Sequence, residues 1–199
     1  MPPSAISEAV DRGYAHTSTQ SKQAPESYVN VRMPAEWEAQ DGVLLAWPNP
    51  HSDWGPILGE IEAVMVEIIR HTSAFEQIVI AAQEPQRPKL LLKQQGIELK
   101  NIRICQVYNN DTWARDFGPV GVEIDAAPLL YDFGFNGWGL KYPANYDNQI
   151  SRNLAAQGVW QTSLRTLDLI LEGGSIESDG AGTLLTTSGC LLSPNRNPQ

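Results

Sequence analysis

The chain has 199 residues, enough for one domain with a sizeable buried core. Hydrophobic residues make up 42% and charged residues 19%, the composition of a globular chain and not of a disordered one. The net charge of −9 repels phosphate backbones, which argues against a nucleic-acid partner, whereas a small cationic substrate is electrostatically welcome.

No apolar run is long enough to span a bilayer, so no membrane partner is expected. The first 30 residues lack an apolar stretch flanked by basic residues, so no secretory signal is expected there. Their Ser, Thr, Gln, Pro and Ala content is that of a flexible polar leader over 1–30. Two scattered cysteines, Cys105 and Cys190, argue against a disulfide framework and for a reducing compartment, the cytoplasm.

Ordered structure is expected from Val31. The run Val43-Leu44-Leu45-Ala46-Trp47, stopped by Pro48, predicts a buried strand. Ile57, Ile61, Val64, Met65, Ile68 and Ile69 recur at three- and four-residue steps and predict a helix to His71. Ile78–Ala82 predicts a second buried strand. A second helix follows over Lys89 to Gln95, ended by Gly96. Ile102–Val107 alternates like a third strand. This rhythm is α/β. Farther on, Val120–Ile124 and Leu129–Phe135 predict strands joined by Asp125-Ala126-Ala127, and Asn148–Gln157 a helix. Leu167–Leu171 and Gly182–Thr187 flank Ser178-Asp179-Gly180, a hairpin signal. Leu191 to Gln199 has loop composition, and the chain is expected to be cut there rather than finished.

Three segments carry polar chemistry. Asn109 to Pro119 follows a predicted strand, where α/β folds place working loops. It holds Asp111, Trp113, Arg115 and Asp116. A carboxylate accepts a fork of hydrogen bonds from a planar guanidinium, and a Trp ring covers a cation's face. The plain alternative is a salt-bridged loop in which Arg115 pairs with Asp111 or Asp116. In Ile170 to Glu177, Glu172 ends an apolar strand ahead of Gly173-Gly174, which would let a ligand approach the backbone. It is either an acid/base or cation-binding residue, or a solvated Glu in a turn. Phe133 to Gly139 alternates rings with small residues and either lines a pocket for an alkyl ammonium chain, with Trp138, or forms a core hairpin.

Other chemistry is poorly supported. No paired Cys-x-x-Cys and no histidine cluster points to a metal, and His16, His51 and His71 are dispersed. No phosphate-binding glycine motif is present. Cys190 has an apolar flank and is expected to be a buried, unreactive thiol.

Four segments together resemble the agmatine deiminase family within the wider peptidyl-arginine deiminase-like group. These are Met33 to Glu38 with Leu45 to Pro48, Asn110 to Pro119, Leu171 to Gly180, and Leu191 to Pro198, in the family's order. The resemblance implies part of a five-bladed, pseudo-symmetric (pentein-like) α/β propeller, with about three of the five blades here. It makes residues 31–199 the N-terminal part of one deiminase domain. It implies hydrolysis of a guanidine to a ureido group and ammonia without metal or organic cofactor, through a cysteine thiouronium intermediate. The substrate would be agmatine, the product N-carbamoylputrescine on the way to putrescine and polyamines. By the resemblance, Asp116 is the guanidinium-binding aspartate and Glu172 the active-site glutamate. Asp111, Trp113 and Trp138 shape the cleft. By the same resemblance, the family's Gly-His-x-Asp motif and catalytic cysteine are expected beyond residue 199, and neither Cys105 nor Cys190 matches that cysteine. The fragment by itself is therefore expected to be inactive, exposed along its missing flank and prone to self-association. Peptidyl-arginine or another guanidine is the alternative substrate; a non-catalytic agmatine-binding protein or decayed paralogue is the alternative class.

Overall fold

The computed structural model describes residues 30–197. The leader expected over 1–30 lies, apart from Asn30, outside the described residues. A short strand β1 (Val31–Arg32) is followed by β2 (Gly42–Ala46), α1 (Leu58–Thr72), β3 (Gln77–Ala82), α2 (Gln86–Gln94) and β4 (Ile102–Gln106). The last three strands form a parallel sheet in the order β2-β3-β4.

Both faces of this sheet are covered, which is why its strands are continuous apolar runs. Ile78, Ile80 and Ala82 of β3 face one way, with Trp47 and with Met65, Val66 and Ile69 of α1 and Leu92 of α2. Ala46, Ala81 and Cys105 face the other way, against Phe117, Phe135, Ile150 and Leu154. Residue parity along each strand therefore assigns each side chain to one of two cores. Helix α2 begins at Gln86, earlier than the expected Lys89, because Pro88 sits in the first turn, where backbone N–H groups have no helical partner. It ends where Gly96 turns left-handed at φ 69°, with Ile97 N–H on the Leu92 carbonyl at 2.9 Å.

The second half changes pairing. After the one-turn α3 (Ala114–Phe117), β5 (Val120–Ile124) and β6 (Ala127–Gly134) form an antiparallel hairpin. Ala127 pairs with Ile124, so the turn is two residues, Asp125 and Ala126, one fewer than expected. Both have positive φ, 50° and 66°, the conformation that matches the twist of a tight hairpin. A single turn, α4 (Gly137–Leu140), and α5 (Ile150–Ala156) then carry the chain to β7 (Leu164–Ile170), parallel to β6. The mixed sheet runs β1-β5-β6-β7. Asp132 of β6 is buried and takes a hydrogen bond from Arg152 of α5 at 2.8 Å.

A third, small sheet pairs β8 (Ile176–Ser178) with β9 (Leu184–Thr186), before α6 (Ser188–Leu191). The Asp-Gly hairpin is present, but its first arm is Ile176–Ser178, and Leu167–Leu171 belongs mainly to β7. The reason is the turn at Gly173–Ser175, which separates the two strands. Among the described residues no helix is long and apolar enough to cross a membrane. Among the described residues the fold is α/β with three sheets, the parallel β2-β3-β4 sheet with a core on each face, the mixed β1-β5-β6-β7 sheet and the small antiparallel β8-β9 pair.

Candidate functional site

Two loops distant in sequence meet at the site. One is α3, whose Phe117 is buried in the second core and packs on Phe135 with ring centroids 5.7 Å apart. This anchors the preceding residue, Asp116. The other is the Gly173–Ser175 turn after Glu172. The Gly174 N–H donates to Asp116 Oδ1 at 3.0 Å, and the Trp138 indole N–H donates to Asp116 Oδ2 at 3.0 Å. Each oxygen thus has one fixed donor and a second lone-pair direction for a ligand. The two glycines explain the close approach. A Cβ on Gly174 would collide with the Asp116 carboxylate, and one on Gly173 with the Arg115 carbonyl. What approaches this backbone is therefore α3.

Glu172 is not a solvated turn residue: it is 3% exposed, and Arg196 Nε donates to its Oε1 at 2.7 Å. A carboxylate buried this deeply needs such a partner, since an unpaired buried charge costs several kcal/mol (order of magnitude). Arg115 does not pair with Asp111 or Asp116 as the loop reading expected. Its guanidinium pairs with Glu36, and its Nε donates to the Gly173 carbonyl at 3.2 Å. The segment Met33–Glu38 is thereby strapped to the site, with Ser178 Oγ donating to the Met33 carbonyl at 2.7 Å.

Asp111 and Trp113 form an adjoining group around Trp54. The Trp54 indole N–H donates to Asp111 Oδ1 at 2.9 Å, and the Trp54 and Trp113 rings lie 6.5 Å apart. Trp113 is half exposed. Asp111 Oδ1 also accepts the Thr112 N–H at 2.7 Å. The candidate residues thus fall into two groups, Asp116, Trp138 and the Glu172 turn on one side and Asp111, Trp113 and Trp54 on the other. They are joined through the backbone bond from Asp116 N–H to the Trp113 carbonyl, 2.9 Å. The aromatic segment is no core hairpin. Phe135 is core, and Trp138, on the left-handed turn of α4, packs against that same core with its ring centroid 5.0 Å from that of Phe135.

Asp147 was not legible as part of this region. It is 1% exposed, and the backbone N–H groups of Asn110 and Asp111 donate to its Oδ1 at 2.7 and 3.3 Å. Asn110 Oδ1 returns the favour, accepting the N–H of Tyr146 and of Asp147 at 2.8 and 3.2 Å. Burial pushes the Asp147 carboxyl up to about 6, against the opposing pull of those N–H donors. Arg196 was equally hidden; it lies in the Leu191 to Pro198 segment, yet nothing in local spacing ties it to Glu172. The Cys105 thiol is buried, and that burial pushes it up, which disfavours the thiolate. Cys190 is partly exposed and not buried as expected, because α6 lies outside both cores.

The family model for Porphyromonas-type peptidyl-arginine deiminase matches residues 32–199. The agmatine deiminase of Pseudomonas aeruginosa (strain LESB58) is 35% identical over 173 residues, 84% of this chain and 46% of that protein. The agmatine deiminase of Pseudomonas putida is 34% identical over 172 residues, 83% of this chain and 46% of its own length. Among solved structures, the C. jejuni agmatine deiminase with substrate bound superposes with a TM-score of 0.78 at 33% identity, covering 88% of this chain and 51% of that one. The agmatine deiminase of Enterococcus faecalis gives 0.64 at 34% identity, covering 84% and 46%. The chain spans about half the length of the curated relatives it matches. With the match running through both site loops, the chain belongs to the Porphyromonas-type peptidyl-arginine deiminase family.

Proposed function

We propose that this chain carries the acidic half of the guanidinium site of an agmatine deiminase. The observation that carries the reading is the Asp116 carboxylate, oriented by one backbone and one indole N–H beside the turn that follows Glu172. A carboxylate held in this way takes the two parallel N–H groups of a planar guanidinium. Glu172 takes a further N–H, and Trp138, Trp113 and Asp111 shape the cleft.

In the complete site, supplied by the half of the domain that these residues do not span, a cysteine thiolate attacks the guanidinium carbon. The histidine of the family's Gly-His-x-Asp motif protonates the leaving nitrogen, ammonia leaves, and water then releases the thiouronium as N-carbamoylputrescine and free thiol. No metal or organic cofactor takes part. The three sheets are about three of five propeller blades, with the site at the centre. The protein acts in the cytoplasm in putrescine and polyamine formation, with neither nucleic acid nor membrane as partner and with homo-oligomers within reach.

Agmatine over arginine or peptidyl-arginine is supported by charge. Among the described residues, Arg115 and Arg196, which touch these loops, are already engaged by Glu36 and Glu172, so neither is spare to hold a substrate carboxylate. Calorimetric titration of agmatine and of arginine into the 199-residue chain tests the reading. Agmatine binds more tightly, without ammonia release by this chain alone, and Asp116→Asn or Glu172→Gln weakens it about 10- to 100-fold, the loss of one charge-assisted hydrogen bond. Tighter binding of arginine, or unchanged agmatine heats in both variants, overturns it.

A further inference from the structure

Four successive residues, Gly137, Trp138, Gly139 and Leu140, have left-handed backbones, with φ of 69°, 58°, 83° and 65°. L-residues visit this region singly and at a cost, and here two of the four carry side chains. Such a turn persists only where its surroundings hold it.

What holds it is mapped by its hydrogen bonds. Asn136 Oδ1 accepts the Gly139 N–H at 2.9 Å, and Asn136 Nδ2 donates to the Asn195 carbonyl at 2.7 Å. Asn195 Nδ2 donates in turn to the Gly139 carbonyl at 3.3 Å. A side chain on Gly139 would press on the Arg196 guanidinium, so the turn packs directly on that residue. The turn's product is the Trp138 indole N–H aimed at Asp116 Oδ2.

The next two residues of the same segment act on the other acid. Arg196, 11% exposed at its side chain, donates from Nε to Glu172 Oε1. Asn197 grips the strand that leads to Glu172. Its Oδ1 accepts the Ile170 N–H at 3.0 Å, and its Nδ2 donates to the Ile170 carbonyl at 2.9 Å and to the Leu191 carbonyl at 2.8 Å. The Asn197 amide thus behaves as a one-residue strand partner for the end of β7.

We propose that Asn195-Arg196-Asn197 is a positioning clasp that sets both site carboxylates at once. Asn195 holds the turn that orients Asp116 through Trp138, and Arg196 with Asn197 holds Glu172. The inference rests on the reading of Asp116 and Glu172 as the guanidinium acceptors. Arg196 is matched to its task by the flat, fixed direction of its Nε–H, which a lysine ammonium does not reproduce.

The test is nitrogen-15 NMR of the indole and arginine Nε–H groups of the 199-residue chain, alongside agmatine calorimetry. Trp138→Phe and Arg196→Lys assign the two resonances by removing them. Asn195→Ala is expected to move the Trp138 indole resonance as Asp116→Asn moves it, with Asn195→Ser as the second variant should the alanine chain not fold. Glu172→Gln is expected to move the Arg196 Nε–H resonance. Arg196→Lys is expected to weaken agmatine roughly tenfold with the far-ultraviolet circular dichroism unchanged, as loss of a charge-assisted bond demands. An indole resonance unmoved by the Asn195 variants, or an Arg196 resonance unmoved by Glu172→Gln, overturns the clasp. If both resonances move while the wild-type chain binds no agmatine, the clasp stands and the guanidine reading falls.

Discussion

Close approach and burial, more than residue type, define the chemistry of single positions in this chain. Gly174 lies so near Asp116 that any side chain there must displace the carboxylate. Gly174→Ala is therefore expected to weaken agmatine at least about tenfold by misplacing a charge-assisted acceptor, whereas Gly189→Ala, with open space around it, leaves binding unchanged. Calorimetry on the two variants checks this. Asp147 gives a prediction in pH. Its folded value of about 6 stands above its ordinary 3.8, so below about 4 the group is neutral in both states. Between these values the folded state keeps a proton that the unfolded chain has lost, and stability falls as pH rises. The burial penalty levels off above pH 6 at about 3 kcal/mol. Asp147→Asn keeps an acceptor for the Asn110 and Asp111 N–H groups and removes that charge. Its melting temperature should gain on the wild type from pH 4 to 6 and hold a constant lead above, as paired thermal melts would show.

Individual elements form for reasons that differ between the two halves of the chain. The parallel sheet is dictated by apolar strands buried on both faces, with α1 contributing Met65, Val66 and Ile69 to one core. The β5–β6 hairpin is instead set by its turn, where Asp125 has its carboxylate on the Asn30 N–H at 3.0 Å and Ala126 sits left-handed without any such compensation. A left-handed alanine costs roughly 1–2 kcal/mol, part of which glycine returns through its looser unfolded chain. Ala126→Gly should therefore stabilise the chain by about 0.5–1 kcal/mol, measured by urea unfolding with an unchanged slope. The same physics applies at α4, where Trp138 must stay a tryptophan to reach Asp116 and the strain is held by Asn136 and Asn195.

The molecule as a whole is unevenly covered. The β2-β3-β4 sheet has a core on each face, but the β8–β9 end exposes Leu184, Leu185 and Leu192, and Leu140 and Leu169 are also exposed. Leu185 is 66% exposed on a three-residue strand with no buried position. Large apolar side chains exposed in this way favour association in water. Sedimentation of the 199-residue chain should give a mass that rises with concentration, and Leu184→Lys with Leu185→Lys should shift it towards monomer without lowering the melting temperature. A monomer at all concentrations would show that these leucines are tolerated singly.

By itself the sequence determined the α/β class, the three strands and two helices of the first half, and the loops that hold Asp116 and Glu172. It did so because periodicity and strand-end position are local properties of burial on one or two faces. Only the tertiary structure decided who partners whom. Arg115 goes to Glu36 and not to its neighbours, Arg196 goes to Glu172, and Asp147 goes to the Asn110 and Asp111 amides. The hairpin arm at Ile176–Ser178 and the left-handed turn under Trp138 belong to the same class of outcome. Each depends on segments that topology brings together from far apart in the chain, and on the need to satisfy a buried polar group with whatever donor the fold delivers there.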